Sequence, residues 1–332
     1  MKNITRNFFI GLSNNKLLNE NAKRWGGCFG SSKFIAGTTI ESVVETVKLL
    51  NQRGISCTLD NLGEFVVDKL EAAQAKEHIL TILDVIAKHK LDCHMSVKLT
   101  QLGLDIEQKF CVDNMREIVE RAKNYNIFIN IDMEDHSHYV QTLKVLQVLR
   151  VDYDNIGTVV QSYLYRAEND LEHLKDVRLR IVKGAYKENE KVAYQTKKEI
   201  DRNFILLAKK RLLGDTFTSI ATHDHHIINE LKEFIKENNI SKDRFEFQML
   251  YGFRTEMHHE LVSQGYLFCT YIPFGKDWFG YFMRRLAERP QNMNLILKDL
   301  FDKRNKVKKK SVITVAIATA ILVVWRRKNK II

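Results

Sequence analysis

From Gly54 onward, short runs of β-branched and apolar residues alternate with stretches whose apolar positions recur every three or four residues, and the alternation repeats eight times. The period-two runs predict strands at ISCTLD (55–60), HMSVKL (94–99), IFINID (127–132), GTVVQSYL (157–164), RLRIVKG (178–184), FTSIATH (217–223), FEFQML (245–250) and FCTYIP (268–273). Between them, segments such as VVDKLEAAQAKEHILTILDVIAKH and YQTKKEIDRNFILLAKKRLL carry the helical period. Eight strand-helix units in about 240 residues match the usual size of a (β/α)8 TIM barrel. An open doubly wound sheet is the competing architecture, but it calls for a Gly-rich phosphate turn after an early strand, and GxGxxG does not occur. Residues 1–53 read as an N-terminal helical extension broken at GGCFGSS (26–32), residues 54–302 as the barrel, and residues 303–332 as a tail.

In such a barrel chemistry belongs at the C-terminal ends of the strands. Alternation along the strands puts Ser96 and Lys98 on one face, and Asn130, Asp132 and Glu134 on another; Gln161, Arg180, Thr222, Gln248 and Tyr271 hold equivalent late positions. One such residue alone reads equally well as a salt bridge plugging the barrel top. Seven strands doing so together predict a ligand cavity.

Charge then narrows the ligand. The chain of 332 residues carries +11, but ten basic residues and no acid lie between 303 and 330, which leaves +1 for everything before them. A basic body for nucleic acid is therefore not expected. Five cysteines, an odd number with no CxxC, argue against a disulfide framework or a zinc finger and fit a reducing cytoplasm. At the barrel top Lys98 and Arg180, with Arg284 and Arg285, outnumber the evident inward carboxylate Asp132, so the cavity is expected to favour an anion.

In YFMRRLAERP, Tyr281 lies three and four residues before Arg284 and Arg285, and Glu288 follows them at four and three, so all four share a helix side. Two readings compete: a carboxylate clamp of two planar guanidinium forks, or an ordinary solvated helix face. Histidines after strand six (His223, His225, His226) and in MHHE (257–260) raise the question of a metal. The first strand ends TLDN without an H-x-H, and HExxH is absent, so no metal is expected. Asp132 with Glu134 could hold a divalent cation, against competition from Lys98 and Arg180.

Taken together, SVKLTQLGLDI (96–106), INIDMED (129–135), VVQSYLYR (159–166), RIVKGAYKE (180–188), ATHD (221–224), FEFQMLYGFR (245–254) and YIPFGKDWFGYFMRRLAERPQN (271–292) closely resemble proline dehydrogenase of the monofunctional bacterial type. The likeness runs in order from FIAGTT at residue 34 to residue 292. It implies a flavin-bearing barrel that oxidises L-proline to 1-pyrroline-5-carboxylate and passes electrons to a membrane quinone. It places FAD against Asp132, Met133, Gln161, Arg180, Lys183, Gly184, Ala185, Tyr186, Thr222, His223, Gln248 and Leu250, with Arg180 beside the flavin N5. It places substrate against Lys98, Asp132, Ala185, Leu250, Tyr271, Tyr281, Arg284, Arg285 and Glu288, with Asp132 and Arg180 as the catalytic pair. The classes that compete with it are a metal-dependent barrel hydrolase or lyase and a non-catalytic, membrane-tethered ligand-binding barrel.

The resemblance leaves the tail unexplained. SVITVAIATAILVVW (311–325) is uncharged and apolar, preceded by KRNKVKKK and followed by RRKNK. As a helix at about 1.5 Å per residue it reaches roughly 22 Å, short of the ~30 Å hydrocarbon core. Snorkelling Lys and Arg, or an interfacial position on anionic lipid, would accommodate it. The expectation is a cytoplasmic enzyme held at the inner face of the cell membrane, against the alternatives of a buried C-terminal helix or a disordered extension.

Overall fold

The computed structural model describes residues 35–37 and 39–288, with side chains as far as residue 283. Helix α1 (Ile40–Asn51) leads into β1 (Ser56–Asn61), α2 (Lys69–Lys88), β2 (Cys93–Val97), α3 (Gln108–Asn124) and β3 (Ile129–Ile131). A 3-10 turn (His136–His138) then precedes α4 (Tyr139–Arg150), β4 (Ile156–Gln161), α5 (Ala167–His173), β5 (Leu179–Val182) and α6 (Lys197–Leu213). The series ends with β6 (Thr218–Ala221), α7 (His225–Glu237), β7 (Phe245–Leu250), α8 (Thr255–Ser263), β8 (Leu267–Phe274) and α9 (Trp278–Glu288). The strands pair in sequence order and close, β1 lying parallel to β8, so the (β/α)8 barrel expected from the alternation is what forms. The barrel unit ends at Lys276, and α9 belongs to a second compact unit.

Local chemistry sets the element ends. Asp68 caps α2 by accepting from Leu70 N at 2.9 Å and Glu71 N at 3.0 Å, and Asp224 caps α7 by accepting from His226 N at 3.2 Å. Five helices finish in one way: the residue at Gly54, Lys90, Asn126, Asn239 or Gly265 turns left-handed. The next N–H then bonds back to a carbonyl five residues earlier, as Ile55 does to Leu50 and Ile127 to Ala122. That closure delivers the chain straight into the following strand.

The strands alternate sharply. Cys57, Leu59, Met95, Ile129, Ile131, Leu179, Ile181, Ile220, Phe245, Phe247 and Ile272 are buried and apolar, and they meet amphipathic helices such as α7, which buries Ile227, Ile228, Leu231 and Ile235. Each such side chain contributes about 1.5–3 kcal/mol. Their neighbours Ser56, Thr58, Asp60, Ser96, Arg180, Gln248 and Tyr271 point the other way, into the barrel. Arg180 on β5 reaches Ser96 on β2 at 3.0 Å, a contact possible only across the interior because the two strands are not neighbours. The strand expectations at 157–164 and 178–184 run past the observed ends at Gln161 and Val182. Leu164 N already bonds back to Gln161 O at 3.1 Å, and Gly184 sits at φ +106°, so both segments have become turns.

Of the N-terminal region expected to be helical, α1 is the described part, and residues 1–34 lie outside the described residues. The GGCFGSS break and residues 303–332 lie outside the described residues. Cys57, Cys93, Cys111 and Cys269 are free thiols. Among the described residues no helix is long and apolar enough to cross a membrane.

Candidate active site

At the C-terminal mouth the ends of β1, β2, β3, β5 and β8 converge on one charge network. Lys98 Nζ lies 2.8 Å from both carboxylate oxygens of Asp60 and 3.7 Å from Asp132 Oδ2. Arg180 donates to Asp132 Oδ1 at 2.7 Å, and Asn130 Nδ2 donates to the same oxygen at 3.1 Å. The Tyr271 hydroxyl lies 2.7 Å from Asp60 Oδ2 and 2.7 Å from Asp132 Oδ2, with the Arg180 guanidinium 5.2 Å from the centre of its ring. Ser96 accepts from Arg180 and meets Thr58 Oγ1 at 2.9 Å, which fixes the fork from behind.

Burial governs the electrostatics. It pushes the Asp60 carboxyl above the usual range, with Asp132 adding to the rise and Lys98 opposing it. Burial pulls an ammonium down, but Asp60, Asp132 and Glu64 outweigh it and hold Lys98 above the ordinary lysine range. Desolvation and the two facing carboxylates hold the Tyr271 phenol well above its usual value. The pocket therefore presents a charged Lys98 and a phenol that keeps its proton.

The sequence reading of Asp132 as the one evident inward carboxylate needs correction, while the side chains of Arg284 and Arg285, counted there among the cations, lie outside the described residues. Asp60, on the same strand face as Ser56 and Thr58, is a second carboxylate at the mouth, so Lys98 and Arg180 are matched by Asp60 and Asp132. The signal was present in TLDN, whose aspartate falls at the strand end where Lys98 and Asp132 fall on theirs. A second correction concerns Glu134. Its carboxylate is turned away to Thr100, accepting from Thr100 N at 3.1 Å and Thr100 Oγ1 at 2.5 Å, so it forms no cation site with Asp132. Alternation fails there because β3 ends at Ile131. Burial raises Glu134 to about 7.

Around the network stand the other expected residues. Gln161 Nε2 donates to Met133 O at 3.2 Å and Glu134 O at 3.0 Å. Thr222 Oγ1 accepts from Asp224 N at 3.2 Å. His223 Nε2 accepts the Leu250 N–H at 3.0 Å, which puts the hydrogen of the neutral ring on Nδ1. Lys183 is paired with Asp201 at 2.5 Å and Asp224 at 3.3 Å. It is followed by the turn Gly184, exposed Ala185 and half-buried Tyr186. Tyr281 lies on α9, in the other compact unit, and the side chains of Arg284, Arg285 and Glu288 lie outside the described residues.

The residues fit a flavin. Buried Arg180 Nε, Gln161 Oε1 and Gln248 Oε1 have no hydrogen-bond partner among the described atoms, a donor and two acceptors of the kind a flavin's polar ring edge engages. A Cβ at Gly184 would come within 2.4 Å of the Tyr163 ring, so backbone alone fits at that turn. Metal-ligand-type side chains converge elsewhere: His94, Glu246 and Cys269 bring their ligand atoms within 4.8 Å of one another. There Glu246 accepts from Ser219 and Gln248, each at 2.6 Å, and from Arg178 at 3.4 Å, a guanidinium that opposes a cation. His225, at the start of α7, and His259 stand apart from that group.

A parallel barrel with a buried carboxylate, ammonium and guanidinium network at its C-terminal mouth is an enzyme of the (β/α)8 class, and its unpartnered polar atoms suit a redox cofactor. Residues 43–296 match the family described as proline dehydrogenase. The chain is 44% identical over 300 residues to proline dehydrogenase 1 of Bacillus subtilis, covering 90% of this chain and 99% of that one. It is 36% identical over 277 residues to proline dehydrogenase of Deinococcus radiodurans, covering 81% and 89%. The crystal structure of proline utilization A from Bdellovibrio bacteriovorus, inactivated by N-propargylglycine, superimposes with a TM-score of 0.73 at 26% identity. It covers 83% of this chain, which spans 34% of that much longer one. The chain belongs to the proline dehydrogenase family and is of the monofunctional type; the readings as a hydrolase, lyase or inert barrel fall.

Proposed function

We propose that the chain oxidises L-proline to 1-pyrroline-5-carboxylate, C5 giving hydride to N5 of a non-covalently held FAD, and that the electrons pass to a membrane quinone. The observation that carries the reading is Arg180: its fork binds Asp132 and Ser96 while its buried Nε has no partner among the described residues. When bound there, FAD supplies the two-electron acceptor. Asp132, Met133, Gln161, Arg180, Lys183, Gly184, Ala185, Tyr186, Thr222, His223, Gln248 and Leu250 would hold it.

The chain's own residues bind and orient the substrate and manage its proton. As the family resemblance implies, Arg284 and Arg285 would fix the carboxylate as planar forks, with Tyr281 and Glu288 as the further substrate residues of the same sequence stretch. Lys98, Ala185, Leu250 and Tyr271 close the pocket around the ring. An ammonium has no lone pair with which to form the imine, so the amine must be neutral when hydride leaves. The cations Lys98 and Arg180 lower its pKa, and in this reading Asp132 takes its proton. The C-terminal tail brings the enzyme to the inner face of the cell membrane, where the quinone dissolves.

The test is turnover by the full chain with L-proline and a redox dye. A product two hydrogens lighter than proline, formed as the dye is reduced, supports the reading; no dye reduction by a flavin-loaded protein overturns it.

A further inference from the structure

Asp60 is the one charged member of the described mouth network that neither the sequence motifs nor the family resemblance singled out, and its contacts pose a question of hydrogen counting. The Tyr271 hydroxyl has one hydrogen, yet its oxygen lies 2.7 Å from Asp60 Oδ2 and 2.7 Å from Asp132 Oδ2. Both contacts are at hydrogen-bond distance, so each has a place for one hydrogen between a phenol oxygen and a carboxylate oxygen. The three oxygens therefore have places for two hydrogens, one of which is Tyr271's own. The second place is filled by a proton supplied from outside the three groups, and filling it neutralises one carboxylate.

We propose that Asp60 is the terminal store of the substrate's proton, reached from Asp132 through the Tyr271 hydroxyl. The inference rests on the oxidation of proline proposed above. In the step, an N–H bond of the substrate ammonium breaks and an Asp132 O–H bond forms. Asp132 then gives that proton to Tyr271 Oη, whose original O–H bond breaks as an Asp60 O–H bond forms. One proton enters at Asp132 and one rests on Asp60; Tyr271 ends as it began, and the amine keeps its electron pair for the imine.

The surroundings favour this end point. Asp60 is 1% exposed against 9% for Asp132, so a proton resting on Asp60 is further from bulk water. Lys98, just past β2, and Tyr271 from β8 flank Asp60, Asp132 and Arg180 face it across the interior, and Glu64 acts on Lys98 from the loop after β1. With Asp60 neutral, Lys98 and Arg180 face one carboxylate instead of two. The pocket then carries a net positive charge at the moment negative charge arrives on the hydride acceptor. Burial raises the Asp60 carboxyl, which agrees with a group built to hold a proton. In this scheme Asp60 acts through Tyr271 and is a positioning residue.

The experiment compares the pH dependence of kcat/KM in the full-length, flavin-loaded wild type, D60N and D60E. Cyclopentanecarboxylate, which keeps the ring and carboxylate but has no amine, serves as the binding probe. The amide that D60N introduces cannot accept a proton, so this variant should lower kcat by about tenfold or more and displace the acidic limb of the profile. It should leave flavin content unchanged and the Kd of the probe within about twofold, while D60E should restore the limb in part. A D60N enzyme with the wild-type limb and kcat overturns the proposal, as does one that loses flavin, probe binding and activity in parallel. If the wild type itself fails to oxidise proline, the functional reading is what falls, and the proposal falls with it.

Discussion

Arg180 on β5 donates at 2.7 Å to Asp132, the residue that follows β3, past the intervening strand β4. The pair is buried, so neither charge has water to fall back on; Ser96 accepts from the same guanidinium and Asn130 donates to the same carboxylate oxygen, while Arg180 Nε has no partner among the described atoms. Removing one partner of such a pair costs several kcal/mol because the other charge stays buried and alone.

The conservative change Arg180→Lys keeps the charge and loses the fork. A single ammonium cannot span Asp132 Oδ1 and Ser96 Oγ and still present a third donor at the mouth. The expected outcome is a fall in the rate of anaerobic flavin reduction by roughly a hundredfold, with Tm lowered by only a few degrees. Stopped-flow reduction and a thermal melt on the same sample check it. An R180K enzyme reducing its flavin at the wild-type rate would show the planar fork to be dispensable.

Arg284→Met and Arg285→Met test the clamp. A charge-assisted carboxylate contact contributes about 2–3 kcal/mol, so each change should raise proline KM roughly 30- to 150-fold while flavin content stays near that of the wild type. Wild-type KM in both variants would return these residues to a solvated helix face.

Glu134 gives the fold a pH signature. Burial raises its carboxyl from 4.5 to about 7, so between those values the folded chain binds a proton that the unfolded chain has released. Stability from this group is complete below about pH 4.5 and is lost as pH rises through 7. The melting temperature of Glu134→Gln should therefore change less between pH 5.5 and pH 7.5 than that of the wild type. Equal slopes in the two proteins would place the titration elsewhere.

Much of this arrangement was legible in the chain. The shift between period two and period 3.6 marked every barrel strand, because outward Val, Ile, Leu and Phe must meet helices while inward positions need not be apolar. Lys98, Asp132, Arg180 and Tyr271 stood out as polar residues at late strand positions, and the structure joins all four. Asp60 escaped because TLDN was read only for a metal motif, although Thr58 and Asp60 repeat the polar alternation of Ser96 and Lys98. Glu134 misled for the opposite reason. Alternation holds only while the backbone stays extended, and beyond Ile131 the chain leaves the sheet, so which way Glu134 faces is settled by Thr100, a residue 34 positions away.

The tail makes a separable prediction. If residues 303–332 hold the enzyme at anionic lipid, the full chain should float with anionic vesicles and release at high salt more readily than a transmembrane protein would. A chain ending at Asp302 should stay in solution and still turn over proline with a soluble acceptor. Equal partitioning of the two chains would remove the tail from the account.

The central claim is that the Lys98, Asp132, Arg180 and Tyr271 network works with a bound flavin that takes electrons from proline. The most direct measurement is the visible spectrum of the purified full-length protein under anaerobic conditions, before and after L-proline. The account predicts a yellow protein whose flavin absorbance is bleached by L-proline and returns on adding a quinone. A protein that binds FAD and keeps its full absorbance in saturating L-proline would contradict it.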